Sequence, residues 1–374
     1  MQILIGADIV PSKTNCNLFT NGDVEELVGN ELIDILHGVD YRIFNLELPL
    51  CDCGKPIKKC GPNLVAEEST VNGYKALEID LVSLANNHIM DYGEAGMIST
   101  INTLKGAGIS YTGVGENTSQ ASTPFCFSAG RKKIGIYACT EHEFSTASKN
   151  SSGANPFDPL ESYDHIIELR SKCDYVMVLY HGGKEFYRYP SPNLQKYCRK
   201  FVEKGANLVI CQHSHCIGCE EKYLHGTIVY GQGNFLFDRG NDEFWKTGLL
   251  VKVDEAGIIT YIPVVKTSNT VRLANSKQRQ EILDAFYKRS IEIRDETTVK
   301  NLYNKFAESM LRSYFDRSMG RIRKNTIYKI LNKLSRGYIA ANIFKEEELL
   351  ALINAVECEA HRELFLEGMK SIVK

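Results

Sequence analysis

The sequence lacks the long apolar runs of a membrane protein. No window reaches the roughly 18 to 20 consecutive apolar residues that a helix needs to cross a bilayer. Its first ten residues, MQILIGADIV, also lack the basic segment, apolar core and small-residue cleavage site of a secretory signal. The sequence therefore predicts no transmembrane segment, and we expect a cytoplasmic protein.

A large excess of one charge is also absent. The formal net charge of the 374-residue chain is -2 at pH 7, whereas proteins that bind nucleic acids or anionic membrane surfaces usually carry a one-sided excess. We therefore expect no nucleic-acid partner. Hydrophobic residues make up 43% of the chain, which is enough apolar material for one large domain with an appendage.

Metal-binding cysteine spacing is nearly absent, although the chain has 12 cysteines. The Cys-x2-Cys spacing of structural zinc sites occurs in the cysteine-rich segments only at Cys216 and Cys219. The cysteines are scattered, so we expect free thiols in a reducing compartment rather than a zinc site.

Short β-rich segments alternate with amphipathic segments up to about residue 268. The segments predicted as strands are 2–8, 41–47, 80–86, 175–181, 207–213 and 227–233, with helices at 23–37, 92–107, 160–172 and 192–204. We expect the strand-like segments 133–139, 247–254 and 258–265 to complete a second sheet. This alternation is typical of an α/β domain with largely buried sheets.

From about residue 270 the pattern is helical, highly charged and free of strand signals. We therefore predict an α/β domain over residues 1–268 and a helical region over 269–374. Within 312–336, Asp316 is the one acid among eight basic residues: Arg312, Arg317, Arg321, Arg323, Lys324, Lys329, Lys333 and Arg336. A solvated helix face is the simpler interpretation, and an acidic polymer, a phosphorylated substrate or a protein partner is the alternative.

Polar side chains that can bind metals follow the predicted strands, where each strand ends. They are Asp8, Glu47, Asn87 with His88, His181, and His213 with His215. Ligands of open α/β sheets bind at this edge, because the loops converge there and helix N-termini point toward it. One such residue is more often a helix cap or a hydrogen-bonded side chain, but so many at one edge favour a metal site.

The chemistry of this set indicates which metal it would bind. Three imidazoles, two carboxylates and an amide oxygen suit zinc, manganese or iron better than calcium. Two such ions can hold a phosphate, ionise a water molecule and stabilise the leaving oxygen. His88 is a candidate to protonate the leaving group, and Asp91 is near enough in sequence to orient its ring.

Five motifs resemble those of the CapA-type capsule-synthesis family, in the same order along residues 1–265. They are NLELPL (45–50), SLANNHIMDYGEAGMIST (83–100), HGGKEFYRYPSPNLQ (181–195), GANLVICQHSHC (205–216) and IVYGQGNFLFD (228–238). That family is associated with poly-γ-glutamate production and is related to calcineurin-like metallophosphoesterases. The resemblance implies a four-layer α/β/β/α sandwich of metallophosphoesterase type with a C-terminal helical appendage.

The resemblance also implies roles for individual residues. Glu47 stands where the phosphoesterases usually have a metal-bridging aspartate, and His88 stands where an imidazole contacts the scissile phosphate. The other implied metal ligands are Asp8, Asn87, His181, His213 and His215. Asn45, Glu185 and Asn234 lie in the same motifs, and we expect them to contact substrate.

This sequence departs from the phosphoesterase pattern in its first motif. Val10 occupies the position of a second ligand, so one metal site lacks a ligand unless water or Asn45 replaces it. We therefore expect one or two divalent transition-metal ions, Mn, Zn or Fe.

The resulting functional hypothesis is a metal-dependent hydrolase of phosphoesterase type in capsule or poly-γ-glutamate-type polymer biosynthesis. It would act on an anionic small molecule or polymer. One alternative is a non-catalytic assembly factor that grips a polymer-synthase partner through the helical region. Another is a metal-dependent hydrolase or transferase of γ-glutamyl amides.

Overall fold

The computed structural model describes residues 1–52, 54–240, 242–318, 324–336, 338–341 and 344–373. Arg321 and Arg323 of the predicted basic segment lie outside the described residues. The chain divides into two compact units, Met1–Lys300 and Asn301–Lys374. A strand at Thr270–Leu273 and a helix at Ser276–Glu292 belong to the first unit. The domain boundary at 268/269 stays a proposal.

Among its described residues, the first unit contains sixteen strands and nine complete α-helices. The strands are β1 (Gln2–Val10), β2 (Tyr41–Leu46), β3 (Leu81–Ser83), β4 (Ser110–Thr112), β5 (Val114–Gly115), β6 (Phe125–Ala129), β7 (Lys132–Thr140), β8 (Gly153–Ala154), β9 (Tyr175–His181), β10 (Leu208–Gln212), β11 (Glu220–Tyr223), β12 (Gly226–Tyr230), β13 (Asn234–Phe237), β14 (Thr247–Asp254), β15 (Ile259–Thr267) and β16 (Thr270–Leu273). The helices are α1 (Cys16–Asn21), α2 (Val24–Val28), α3 (Asn30–His37), α4 (Val71–Ala76), α5 (Gly93–Ala107), α6 (Thr118–Ala121), α7 (Ser162–Lys172), α8 (Pro192–Glu203) and α9 (Ser276–Glu292).

Two sheets dominate the first unit. The larger has the strand order β16-β15-β14-β1-β2-β3-β4, with β13 also paired to β1, and the smaller has the order β11-β12-β10-β9-β7-β6. The segment 133–139 is β7 of the smaller sheet, as expected. The expectation that 247–254 and 258–265 join that sheet is wrong. Strand β13 pairs with the end of β1, at Asp8–Val10, and β14 pairs with its beginning, at Gln2–Ile5. The chain that leaves β13 therefore already lies at the larger sheet, and β14 and β15 continue in it.

Three apolar cores separate four layers. Ile3 and Ile5 of β1 face Met177 of β9 in a core between the two sheets. Leu4 points to the opposite face of β1, because side chains alternate along a strand, and it packs in a core with Leu32 of α3. The smaller sheet likewise has an outer core against α7 and α8. The predicted α/β/β/α sandwich is therefore confirmed.

The same strand ends that carry the predicted ligands come together in this arrangement. Strands β1 and β2 are parallel with Asp8 opposite Asn45, and β13 places Asn234 beside Asp8 on the other edge of β1. Strands β9 and β10 of the smaller sheet are also parallel, with His181 opposite Gln212. Both sheets thus deliver polar residues at the carboxyl ends of their parallel strands.

The second unit is helical throughout its described residues. Helix α10 (Glu296–Ser318) leads into it, followed by α11 (Thr326–Leu334), α12 (Tyr338–Ala341), α13 (Glu346–Glu357) and α14 (Glu359–Val373). Across the described part of the chain, no helix combines the length and apolar character needed to span a membrane.

Candidate metal centre

Two buried carboxylates lie at the centre of the site. Asp8 in β1 and Glu47 just after β2 are completely buried. Asp8 Oδ1 accepts a hydrogen bond from Asn45 Nδ2 at 2.8 Å. Among the described residues, nothing donates a hydrogen bond to Asp8 Oδ2 or to either oxygen of Glu47. Buried carboxylate oxygens without donors are costly, so these three oxygens favour a bound cation.

Three histidines complete two overlapping sets of donors. The first ligand group is Glu47, His181 and His213, and the second ligand group is Asp8, Glu47 and His215. Within each group, one ligand atom from every residue lies within 4.8 Å of the others. Glu47 belongs to both groups, so its carboxylate would be a ligand of an ion held by either one.

Short contacts between the rings and the oxygens define the geometry further. His181 Nε2 lies 3.4 Å from Glu47 Oε1 and 3.2 Å from His213 Nδ1. His215 Nδ1 lies 3.7 Å from Asp8 Oδ2. Asn87 Oδ1 is 3.1 Å from His181 Nε2, which adds an amide oxygen to the first ligand group.

The turn after β10 directs two rings into the centre. His213 and His215 have φ angles of 82° and 54°, in the left-handed region that side chains other than glycine rarely adopt. Such backbone conformations persist only where the surroundings hold them, and they concentrate at functional sites. The segment Gln212–Cys216 is therefore strained at two residues, and this conformation directs both imidazoles toward the carboxylates.

Burial shifts the protonation of the whole set. It raises the pKa of Glu47 to about 8, and burial followed by the charge of Glu47 raises the pKa of Asp8 well above its usual value. Burial lowers the pKa of His181 and His213 to about 4 and lowers that of His215 as well. The imidazoles are thus neutral near pH 7, which is the form that binds a metal, while the carboxylates need a cation to ionise together.

These residues fit a divalent transition metal. The donors are imidazole nitrogens, carboxylate oxygens and one amide oxygen, a mixture suited to Mn, Zn or Fe. Val10 is buried in the outer core of the larger sheet and offers no ligand atom, so the second ligand group has three side chains.

The two asparagines before His88 do different work. Asn86 holds the turn: its Nδ2 donates to the Leu46 carbonyl at 2.8 Å, and its Oδ1 accepts from the backbone N–H groups of His88 and Ile89. Asn87 points its oxygen toward His181, as described above, and donates Nδ2 to Glu143 Oε2 at 3.2 Å. Of the polar side chains after β3, Asn86 therefore stabilises the turn, whereas Asn87 lies in the candidate site.

His88 belongs to a buried cluster with Asp91 and Lys59. Its Nδ1 lies 2.6 Å from Asp91 Oδ2 and 3.2 Å from Lys59 Nζ. Lys59 forms an ion pair with Asp91, and its side chain is only 3% exposed. Asp91 Oδ2 also accepts the Leu64 backbone N–H at 2.6 Å. Sequence reasoning paired His88 with Asp91 but missed Lys59, which stands in a loop with no pattern to distinguish it.

The three residues expected at the substrate occupy different places. Asn45 is buried beneath the carboxylates and, besides donating to Asp8, accepts from Asn86 Nδ2 at 3.2 Å. Asn234 Oδ1 lies 2.9 Å from His215 Nδ1 and so orients that ring. Glu185 is exposed in the loop after β9.

Aromatic rings and a cation lie beside His215. The ring centroid of Trp245 is 4.6 Å from that of His215, and the ring of Phe186 is 6.1 Å away. The guanidinium of Arg239 lies 5.7 Å from the Trp245 ring centroid. This side of the centre thus offers a positive charge and a planar apolar surface.

Two curated relatives share about half of their length with this chain. The capsule biosynthesis protein CapA of Bacillus anthracis is 30% identical over 214 residues, which are 55% of this chain and 52% of the relative. The PGA biosynthesis protein CapA of Bacillus subtilis is 28% identical over 214 residues, 55% of each chain.

Solved structures with a general likeness of fold include a phosphatase from Mycoplasma pneumoniae and a 5'-nucleotidase precursor from Thermus thermophilus. The first is 14% identical with a TM-score of 0.43 and covers 72% of this chain and 94% of its own. The second is 15% identical with a TM-score of 0.42 and covers 77% and 58%.

The family described as bacterial capsule synthesis protein PGA_cap matches residues 5–239. That range contains the Glu47 carboxylate, the Asn87 amide and the three histidines of the centre. It covers more than half of the chain, so the protein belongs to the PGA_cap family of bacterial capsule synthesis proteins.

Proposed function

We propose that the protein is a metal-dependent hydrolase of phosphoesterase type that acts in capsule or poly-γ-glutamate-type polymer biosynthesis. The observation that carries this proposal is the pair of ligand groups sharing Glu47, with three buried carboxylate oxygens that lack hydrogen-bond donors. When bound there, one or two divalent ions would supply positive charge for a substrate anion and ionise a water molecule.

The protein's own residues would position the substrate and move one proton. His88 Nδ1 donates to Asp91, and Lys59 pairs with the other oxygen of that carboxylate, so Nε2 is the nitrogen that would protonate a leaving oxygen. His88 is also almost completely buried. Arg239, exposed on Trp245, is placed to receive a second negative group of an anionic substrate.

The names of the relatives support the polymer context. They are a capsule biosynthesis protein and a PGA biosynthesis protein, and the match to this chain includes the centre. Because the match spans about half of each relative, the polymer and the step remain part of the proposal.

A second candidate is a non-catalytic assembly factor for a polymer synthase. It is favoured by two observations: Val10 leaves the second ligand group with three side chains, and the helical second unit lies outside the family match. A hydrolase or transferase of γ-glutamyl amides would use the same donors, with an ion polarising a carbonyl oxygen.

Metal content tests the proposal first. The protein is purified without added metal or chelator and measured by elemental mass spectrometry, together with a His213→Ala/His215→Ala variant. A His225→Ala/His361→Ala variant is the control, since both of those histidines are exposed and neither belongs to a ligand group. We expect about one to two equivalents of transition metal in the parent and control proteins and a large loss in the first variant.

Substrates then separate the candidates. Hydrolysis of p-nitrophenyl phosphate and its diester that depends on the metal would support the phosphoesterase, and hydrolysis of γ-glutamyl-p-nitroanilide would support the amide reaction. Absence of metal even after incubation with manganese or zinc would refute both the phosphoesterase and the amide-hydrolase hypotheses and would favour the assembly factor.

A further inference from the structure

Helix α9 contacts the segment that carries two imidazoles of the candidate metal centre. We call this segment, residues 213–218, the ligand turn. The Nε of Arg289, on α9, donates a hydrogen bond to the Gly218 carbonyl oxygen at 2.7 Å, and its Nη2 donates to the Ile217 carbonyl oxygen at 3.1 Å. One guanidinium group therefore holds both carbonyl groups at the end of the ligand turn.

The surroundings of Arg289 favour a role in holding the backbone. The side chain is half-buried, and in the described part of the chain its hydrogen bonds go to carbonyl oxygens and not to a carboxylate. Arg188 Nη1 donates to the same Ile217 oxygen at 3.0 Å, so two cationic groups that repel each other meet there. Burial, followed by the charge of Arg188, lowers the pKa of Arg289. The charge-assisted hydrogen bonds to the two carbonyl groups offset this cost.

The ligand turn needs such support because its backbone is strained. His213 and His215 have φ angles of 82° and 54°, and such conformations persist only where the surroundings hold them. The Ser214 carbonyl oxygen accepts the Phe186 backbone N–H at 2.8 Å, which holds the middle of the turn. Arg289 holds its end. Without this guanidinium, we expect the turn to relax and the two imidazoles to move with it.

The same end of α9 also contacts the loop that follows His181, the last residue of β9. The Tyr189 hydroxyl in that loop donates to Glu292 Oε2 at 2.6 Å. Ser290 Oγ accepts the backbone N–H of Glu220, just after the ligand turn, at 2.8 Å. Helix α9 thus connects the segments that follow β9 and β10, the two strands after which the imidazoles of the centre stand.

We propose that Arg289 is a positioning residue of the metal centre, which fixes the ligand turn so that His213 and His215 stay in place as ligands. Helix α9 lies beyond residues 5–239, the part of the chain that the family matches. The inference rests on the proposed metal centre. It adds that the centre depends on a helix that supplies none of its ligands.

The test measures Mn²⁺ binding to the full, metal-free chain by calorimetric titration. In Arg289→Met we expect about a 10- to 100-fold loss of affinity, the usual effect of removing a group that holds a metal ligand in place. Arg289→Lys keeps the charge but not the fork of donors, so its loss should be smaller. Arg279→Met makes the same change at an exposed position of the same helix and should bind Mn²⁺ like the parent protein.

A second variant separates the position of the ligands from the stability of the fold. Tyr189→Phe removes the hydroxyl group that donates to Glu292, so it loosens the contact of α9 without changing the hydrogen bonds of the ligand turn. Chemical denaturation gives the free energy of unfolding of every variant. The visible absorption spectrum of bound Co²⁺ reports the coordination geometry. It should change in Arg289→Met and stay as in the parent protein in Tyr189→Phe.

Two results would overturn the inference alone. One is unchanged Mn²⁺ affinity in Arg289→Met, and the other is a loss in Tyr189→Phe that matches the loss in Arg289→Met. A parent protein that binds neither Mn²⁺ nor Co²⁺ would overturn both the inference and the proposed hydrolase. Weakened metal binding in Arg289→Met, together with no hydrolysis of phosphoesters by the metal-loaded parent, would support the inference and count against the hydrolase.

Discussion

The protonation of Glu47 gives a quantitative prediction about metal uptake. Burial raises the pKa of this carboxyl to about 8, whereas His181 and His213, with pKa values of about 4, are neutral well below pH 7. In the metal-free protein, about one in ten Glu47 side chains is then ionised at pH 7 and about one in a hundred at pH 6. A metal that needs this carboxylate must displace its proton.

Metal affinity should therefore rise with pH. Between pH 6 and 8 we expect roughly a tenfold gain in affinity per pH unit, levelling above about pH 8, with about one proton released per protein at pH 6.5. Asp8, whose pKa is also raised, adds to the release. Calorimetric titration of the metal-free protein with Mn²⁺ in buffers of different ionisation enthalpy measures both quantities.

A Glu47→Gln variant is the control for this prediction. It keeps the shape of the side chain but carries no proton that metal can displace, so it should bind more weakly and with a flatter pH dependence. Affinity of the parent protein that is constant from pH 6 to 8, or proton release unchanged in the variant, would refute the reasoning.

Two further predictions concern pairs of side chains outside the ligand set. Cys126 is exposed and its Sγ lies 3.7 Å from that of Cys173. The oxidant diamide should therefore remove the two thiol hydrogens and join this pair as a disulfide, which mass spectrometry would detect as a cross-linked peptide. Cys198 and Cys211 have sulfur atoms 3.5 Å apart but are buried, so they should stay reduced. Lys59→Met should lower the free energy of unfolding by about 3 kcal/mol in chemical denaturation, because it strips a buried carboxylate of its ion-pair partner.

Controls for these two predictions come from the same neighbourhoods. For the cysteine pair, Gly135 lies opposite Cys126 on the neighbouring strand and leaves room for the Cys173 side chain. A Cβ at Gly135 would lie only 3.0 Å from the Cys173 sulfur. Oxidation of the buried thiols before the exposed pair would contradict the geometric argument. For the ion pair, exposed Lys58→Met should change stability by less than about 0.5 kcal/mol. Additive losses in a Lys59→Met/Asp91→Asn double variant would show that the pair is not coupled.

The layered fold was largely predictable because its strands are buried on both faces. Segments such as Ile3–Ile5 read as continuous apolar runs, and strand 175–181 has its predicted bounds. What the pattern could not supply was the sheet to which a strand belongs. Strands β14 and β15 have the same composition as strands of either sheet, and only the shared edge of β1 assigns them to the larger one.

The clustering of these side chains was predictable because each of them follows an apolar strand, so the fold brings the strand ends together once the strands are found; their role as metal ligands stays a proposal. The supporting residues were not predictable in this way. Glu143 and Lys59 come from irregular segments whose paths depend on tertiary contacts, such as the donation from Leu64 N–H to Asp91. The contacts that Glu143 and Lys59 make can be identified only once the paths of these loops are known.

The two ligand groups differ in their number of donors, and this difference bears on the choice between a hydrolase and an assembly factor. The first group has Asn87 as a fourth donor beside Glu47 and two histidines, whereas the second has three side chains because Val10 faces an apolar core. A single equivalent of metal would then indicate that the four-donor group alone is filled. In that state Asp8 Oδ2 would still lack a partner, and its pKa would stay high. Two equivalents would instead mean that water or substrate oxygens complete the second group, and two ions would favour the proposed phosphoester hydrolysis over the assembly role.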